Sequence, residues 1–381
     1  MSSNRIHYIS SYVDPDLKTD YLSTPSGIAK VDYIKNSLLE LGYCVNLFSP
    51  VCASSRKTKI SGRRVFSINE KECHYYPFSF ASSYSVIRCL SYVFIYIQLV
   101  LYLFFHVKRD DTVLLYHSNP DTLIVKCICR FLKLKVILEL EELYSAAYSL
   151  SSKIEKEKRV ISGFDRYVIV NSIIADKCRL RKPNVVCEGQ YKMISPIPRG
   201  ILNRDGKIHL LYAGLFQKNA DVFCSIQTAK LLTSDYVLHI AGYGNPDVIH
   251  DVEMEICEHN ESNQGCFIEY HGCLFGNDYE NLLKKCSVGL CTRVLDNNLS
   301  DYTFPSKVLV YLSRNLVVVC TPINCVLSSP LSKKIYFSQG TEPLSIANTI
   351  TAIPKNLIIN NKESLDFQNN RFMTQLKDLL I

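Results

Sequence analysis

The chain has 381 residues, of which 47% are hydrophobic and 21% charged; that is enough for two domains and excludes a disordered or low-complexity chain. Glycine and proline number 15 and 14, too few for a fibrous or linker-like protein. The net charge of +7 sits in the first half: residues 1–200 carry 28 Lys and Arg against 18 Asp and Glu, and residues 201–381 carry 15 against 18. A basic half either faces phosphates, nucleic acid or an anionic membrane, or is a solvated surface without a partner.

In chain order, the spacing predicts a strand over Arg5–Ser10 and then a loop ending in Thr24-Pro25-Ser26-Gly27. A helix follows over Ile28–Leu41, with Ile28, Val31, Ile34, Leu38 and Leu41 on one face. Gly42 closes it, and Cys44–Phe48 is the next strand. This β–loop–α–β opening is that of a parallel, doubly wound sheet. The unit repeats as a strand over Thr112–Tyr116, a helix from Pro120 to about Leu132, and strands over Val136–Leu140 and Arg166–Val170, with a charged helix over Lys153–Val160 between the last two.

Residues 192–207 are aperiodic and rich in proline and glycine, and predict a domain boundary near residue 200. The pattern then restarts. Strands are expected over His209–Ala213, Tyr236–Ala241, Phe267–His271, Val288–Cys291 and Val317–Cys320. Helices are expected over Ala220–Leu232, Tyr279–Lys285 and Ser306–Ser313, and Pro343–Ile381 reads as helical. The expected organisation is a first domain over 1–200, a second over 201–345, and a helical segment over 346–381.

Sixteen cysteines occur without a C-x-x-C pair. Residues 1–20 show no secretory leader, so the thiols are expected to be reduced, and no zinc site is expected. Cys89–Val107 is a run of 19 residues free of Lys, Arg, Asp and Glu. Three readings stay open for it: a buried core helix, a helix lying in a membrane interface, and a membrane span.

Several strand ends carry chemistry. Pro305 is expected at the first position of a helix, leaving the N–H groups of Ser306, Lys307 and Val308 as an anion site beside the Lys307 charge. Gly214 follows a strand, with Lys218 four residues on. Gly242 and Gly244 end another strand, but the dinucleotide fingerprint is absent and no helix is expected directly after them. In the first half, Ser26-Gly27 with Lys30 is a second possible anion site. His117 ends one strand, and Glu139, Glu141 and Glu142 end the next, where an acid serves as a base or holds sugar hydroxyls.

These motifs, in this order, resemble the family-4 type of GT-B glycosyltransferases over nearly the whole chain. Ser26-Gly27-Ile28-Ala29-Lys30 looks like that family's glycine loop. Leu210-Leu211-Tyr212-Ala213-Gly214-Leu215 looks like the first strand of its donor domain, and Ile240-Ala241-Gly242-Tyr243-Gly244 and Tyr270-His271-Gly272 look like its next landmarks. Phe304-Pro305-Ser306-Lys307-Val308-Leu309 with Tyr311-Leu312-Ser313 is similar to a variant common in bacterial surface-polysaccharide (O-antigen or capsule) enzymes. The family's paired glutamates are replaced here by Tyr302 and Val310, and Asp301 is the acid nearest the first position.

The resemblance implies an α/β fold of GT-B type, with two Rossmann-like domains facing each other across a cleft and the closing segment over 346–381 crossing back to the first domain. It implies a retaining transfer of a sugar, without a metal cofactor, from a nucleotide-sugar donor to a lipid-linked glycan at the inner face of the cytoplasmic membrane, and no nucleic-acid partner. Candidate catalytic residues are His117, Glu141 and Asp301. Candidate donor-binding residues are Gly214, Lys218, Gly242, Gly272, Tyr302, Phe304, Pro305, Ser306 and Lys307. Ser26, Gly27 and Glu142 are candidates for the acceptor. The alternatives are a non-catalytic partner protein of GT-B build and a nucleotide-sugar epimerase of the same architecture.

Overall fold

The computed structural model describes residues 4–14, 17, 21, 25–54, 60–82, 84–118, 121–147, 150–216, 221–262, 265–293 and 301–381. The chain forms two compact units, Met1–Gln190 with Phe372–Ile381, and Tyr191–Arg371. The boundary thus falls ten residues before the expected 200/201. The segment that rejoins the first unit is Phe372–Ile381, not the whole of 346–381.

In the first unit the elements are β1 (Arg5–Ile9), α1 (Pro25–Glu40), β2 (Cys44–Phe48), β3 (Ile60–Ser61), β4 (Arg64–Asn69), β5 (Glu72–Tyr76), β6 (Ser79–Phe80) and α2 (Ser85–His106). They continue with β7 (Thr112–Tyr116), α3 (Asp121–Leu132), β8 (Lys135–Leu140), α4 (Tyr144–Ala147), α5 (Ser151–Ile161), β9 (Arg166–Ile169), α6 (Ser172–Lys177) and β10 (Asn184–Val186). The main sheet has the order β10-β9-β8-β7-β1-β2-β5-β4 and is parallel except for the β4–β5 pair. Its central strands are buried on both faces, which is why β1 and β8 read as near-continuous apolar runs. Gly42 ends α1 at φ +90°. Its N–H bonds Leu39 O at 3.0 Å and that of Tyr43 bonds Leu38 O at 3.1 Å, a Schellman closure.

Only one face of α2 is buried, through Ser91, Ile95, Leu99, Tyr102 and Leu103. His7 of β1 anchors that face: one ring nitrogen lies 2.8 Å from the Tyr102 hydroxyl, and the other donates to Asp111 at 3.0 Å. The outward side is apolar too, with Val86 71% and Phe105 78% exposed. By length and composition α2 could cross a membrane, yet 28% of its most apolar stretch is buried. The buried-core reading of Cys89–Val107 is therefore overturned. The helix is laid along the sheet by a narrow stripe, and the rest of its apolar surface faces outward.

The second unit contains β11 (Arg199–Gly200), β12 (Ile208–Phe216), α7 (Asp221–Ala229), β13 (Tyr236–Gly244), α8 (Pro246–Glu261), β14 (Phe267–Tyr270), α9 (Gly276–Lys285) and β15 (Val288–Cys291). Then come α10 (Lys307–Leu312), β16 (Val317–Cys320), α11 (Asn324–Leu327), β17 (Ile335–Phe337), α12 (Pro343–Thr351), β18 (Ile358–Ile359) and α13 (Lys362–Leu380). Pro343–Ile381 is thus two helices separated by a short strand. The six-stranded sheet runs β14-β13-β12-β15-β16-β17, all parallel. This is the Rossmann strand order, with its switch point between β12 and β15. Ile208, Leu210, Tyr212, Leu238 and Ile240 form part of the core on one face.

Residues 192–207 are not a free linker. Asn315, in the left-handed region at φ +54°, donates to Ser195 O and Ile197 O at 2.8 and 2.9 Å and accepts from Asn361 N at 2.8 Å. Arg199 donates to Asn315 O at 3.0 Å and Lys284 O at 2.7 Å, and also to Cys286 O, occupying carbonyls at the end of α9.

Candidate active site

In an open parallel sheet, ligands bind beyond the carboxyl ends of the strands at the switch point. In the second unit that point lies past Ala213-Gly214. Lys307 reaches it from α10: its ammonium lies 4.2 Å from the centre of the Tyr212 ring. A Cβ added at Gly214 would lie 3.4 Å from Lys307 Nζ. Two motifs 93 positions apart in the sequence therefore meet at one place. Tyr311, also on α10, accepts the Ala213 N–H on its hydroxyl at 3.2 Å. Its ring fills the space a Cβ at Gly289 would need, at 2.2 Å. This packing fixes α10 against β12 and β15 and so fixes Lys307.

The amides at this helix differ from expectation. The helix begins at Lys307 with Ser306 as its cap, so Pro305 precedes the cap instead of opening the helix. Val308 N–H already bonds Pro305 O at 3.0 Å, which removes it from the predicted anion site. With six residues, α10 has barely more than one turn of aligned dipoles. The charge at this point is that of the Lys307 ammonium. Pro305 is half-buried and Ser306 exposed, while Tyr302 and Phe304 are buried. Asp301 is buried and accepts from Asn324 at 3.1 Å. Thr303 accepts from Arg293 at 3.0 Å. Asp301 and Thr303, the neighbours of Tyr302 in sequence, are thus both tied into the protein.

The strand-end glycines divide into two kinds. At Gly242 an added Cβ would stand 2.0 Å from Gly214 O and 2.5 Å from the Phe216 ring, and at Gly244 it would stand 2.7 Å from Phe216 O. These glycines are required because β13 continues to Gly244 beside Phe216, so close strand packing accounts for Gly242 without a ligand. Gly272 differs: it has φ +65° with open space about it, a backbone only glycine adopts readily. The expectation that no helix follows Gly244 is corrected as well. Asn245 caps α8, accepting from Asp247 N–H at 3.3 Å. Lys218 lies outside the described residues.

In the first unit, whose switch point lies between β1 and β7, a buried charge cluster joins α1 to the segments after β8 and β10. Lys30 pairs with Glu141 at 2.5 Å and donates to Cys187 O at 2.5 Å. This corrects the expectation that Lys30 is an anion site, since its charge is spent internally. Its ion-pair partner Glu141 is the expected catalytic acid. The fully buried Glu139 accepts from the Tyr8 hydroxyl; burial first, and then the Glu141 charge, push its carboxyl up to about 8. His117 is buried and engaged at both ring nitrogens, 2.9 Å from Thr122 Oγ1 and donating at 2.8 Å to Glu157. Glu157 in turn accepts from the amides of Tyr144 and Ser145 at 3.0 and 2.8 Å. His117 therefore fastens α5 to the end of β7. Glu142 and Gly27 are half-buried, and the Ser26 side chain lies outside the described residues.

Glu139 supports a prediction. A carboxyl raised from 4.5 to about 8 keeps its proton in the folded chain while the unfolded chain loses it. Its contribution is full below pH ~4.5 and lost as pH rises through ~8. Glu139→Gln should flatten the decline of stability over that window, read from denaturant midpoints at pH 5, 7 and 9. Equal slopes in both chains would refute a raised carboxyl.

The sequence reading missed a row of histidines on the second sheet. His209 of β12 contacts His239 of β13, Nδ1 to Nε2, at 2.7 Å. His239 Nδ1 lies 2.9 Å from His271 Nε2 and 3.1 Å from Glu269 Oε2. Burial and the nearby Lys285 charge hold the His239 ring down at about 3, so it is neutral. The available signal was strand alternation, since His239 pairs in register with Glu269 and His271 stands two residues on.

No protein-family model matches the chain, and no curated protein matches it in sequence. Solved structures do match its fold. The trehalose-6-phosphate protein of E. coli bound with UDP-2-fluoro glucose superposes with a TM-score of 0.68 at 10% identity, covering 99% of both chains. The sucrose-phosphate synthase of Thermosynechococcus elongatus gives 0.68 at 12%, covering 98% of both. An α,α-trehalose 6-phosphate synthase of Burkholderia multivorans gives 0.65 at 10%, covering 98% of this chain and 93% of that one. The fold is GT-B, with two Rossmann-like α/β domains.

Proposed function

We propose that this chain is a glycosyltransferase that moves a sugar from a nucleotide-sugar donor to a lipid-linked glycan of the bacterial O-antigen or capsule type. The observation that carries the donor half is the meeting of Gly214 and Lys307 at the switch point of the second sheet. A glycine lets a diphosphate approach the backbone, and the ammonium stabilises the charge that grows on the leaving phosphate. The transfer is read as retaining and as needing no metal at the diphosphate. Asp301, Tyr302, Phe304 and Gly272 shape the surroundings of the donor, and Lys218 adds a second positive charge.

The acceptor half rests on α2. Its exposed apolar side is accompanied by exposed Arg63, Arg88, Lys108 and Arg109, and by Arg130 and Lys133 around Phe131, which packs on Phe104. Apolar area with basic neighbours suits peripheral docking on an anionic leaflet, the inner face of the cytoplasmic membrane. A cavity of about 200 Å³ under α2, walled by Phe48, Tyr75, Tyr102 and Phe105 with Arg63 among its lining, offers room for part of a lipid. The solved relatives, a trehalose-6-phosphate synthase and a sucrose-phosphate synthase by name, favour a second reading in which the acceptor is a soluble sugar phosphate.

The test is direct. Purified chain is incubated with UDP-, GDP-, dTDP- and CMP-sugars, alone and with either a lipid-linked glycan or a sugar phosphate. Transfer to the lipid-linked acceptor supports the first reading, and transfer to the sugar phosphate supports the second. Conversion of donor without acceptor would identify an epimerase. Failure to bind any donor would overturn the enzyme reading in favour of a non-catalytic partner protein.

A further inference from the structure

We propose that His239, Glu269 and His271 form a binding site for a divalent transition ion of the zinc class on the second sheet. The three donor atoms, His239 Nδ1, His271 Nε2 and Glu269 Oε2, form a triangle with edges of 2.9, 3.1 and 3.7 Å. An ion bound at about 2.0–2.1 Å to each donor requires edges of roughly 3.0–3.4 Å, the spread from octahedral to tetrahedral angles. Two edges lie within about 0.1 Å of that range, and the 3.7 Å edge between the partly exposed His271 and Glu269 has to shorten by about 0.3 Å. Two imidazole nitrogens and one carboxylate oxygen favour zinc, cobalt or nickel over magnesium or calcium, which take oxygen.

The second observation is the tautomer of His239. Asp205 Oδ2 lies 2.9 Å from His209 Nε2, and an ionised carboxylate only accepts, so His209 carries its proton there. In the neutral ring, His209 Nδ1 is then bare and accepts at 2.7 Å from His239 Nε2–H. This leaves His239 Nδ1 unprotonated, its lone pair turned toward Glu269 and His271. Without an ion, His271 Nε2–H donates to that lone pair at 2.9 Å; an ion would take the place of this proton between the two nitrogens and Glu269 Oε2. Asp205 and His209 thus do what outer partners of metal-bound histidines do: they fix the ring and its tautomer. Burial decreases from His239, at 0% side-chain exposure, through His271 at 19% to Glu269 at 41%, so the ion has a route from solvent. Lys285, 3.2 Å from Glu269 Oε2 and 46% exposed, is the competing cation and has room to leave.

The experiment is calorimetric titration of the whole reduced chain with zinc, after alkylating the exposed thiols, among them Cys89, Cys127, Cys257 and Cys273, which would bind zinc themselves. One equivalent should bind, and the unfolding midpoint should rise with zinc and not with magnesium. His271→Gln and Glu269→Gln, both at partly exposed positions, should each weaken binding by at least about 100-fold. His209→Gln should cost about 10- to 100-fold, as loss of an outer partner does, and Lys285→Met should tighten binding. Absence of zinc binding, or binding unchanged in both His271→Gln and Glu269→Gln, would overturn the site. Magnesium binding as strong as zinc would overturn the class of ion. None of these readouts depends on glycosyl transfer.

Discussion

Replacing Lys307 with methionine should weaken binding of the nucleotide-sugar donor by about 10- to 150-fold while leaving the fold in place. A hydrogen bond from a charged donor to phosphate contributes about 1.5–3 kcal/mol, which converts to that range at about 1.4 kcal/mol per tenfold. Methionine keeps the apolar stem that packs beside Tyr212 and loses only the charge. The lost attraction of the ammonium to the Tyr212 ring is worth about 0.5–1 kcal/mol, a fall in unfolding midpoint of roughly 2–4 °C at most for a unit of this size. A stability loss without a binding loss would therefore assign Lys307 to packing alone. Donor titrations and a thermal scan on the same two proteins separate these results.

The second large effect is expected at the membrane. Phe94, Leu101 and Phe105 are 48, 49 and 78% exposed on the outer side of α2. Burying each in a bilayer interface would contribute about 1–2 kcal/mol. Changing all three to serine should reduce vesicle binding at least ~100-fold. Full burial of the serines is not required for folding, because the helix is held by its opposite stripe and by the His7–Tyr102 contact. The neighbouring Lys and Arg residues each add about 1 kcal/mol on an anionic surface, and salt screens that part. Flotation should thus require anionic lipid and weaken in salt for the natural chain. Failure to float with anionic vesicles at low salt would remove the membrane from the proposal.

Much of the architecture was legible because parallel strands buried on both faces leave unbroken apolar runs. Cys44–Phe48, Thr112–Tyr116, Val288–Cys291 and Val317–Cys320 have the expected bounds. The β3–β6 region was not legible, because β4 carries Val65, Phe66 and Ile68 outward and shows no alternation between a wet and a dry side. At the site, the sequence pointed to Gly214 and Lys307 but not to their meeting, which depends on Tyr311 locking α10 between two strands. It did not show that Lys30, Glu141 and His117 are paired inside the protein. Their partners Cys187, Lys30 and Glu157 lie 157, 111 and 40 positions away, and no local pattern shows that a charge is already matched. The histidine row was missed for the same reason: its members sit on β12, on β13 and just past the end of β14, and become neighbours only through sheet register.

The clasp of Asn315 onto Ser195, Ile197 and Asn361 brings the chain into and out of the second unit at one point, so that unit is an insertion within the first. Its residues are contiguous and can complete their sheet as soon as they leave the ribosome. The first unit has its whole sheet by Val186 but lacks its last helical segment. Phe372, which stacks on Tyr33 at 5.5 Å, and Leu379, whose carbonyl accepts from Arg166, are synthesised after the whole insertion. The usual order of vectorial folding, amino-terminal domain first, is thereby reversed at the last step. During translation Tyr33 of α1 stays without its Phe372 partner until the later-made unit has been synthesised.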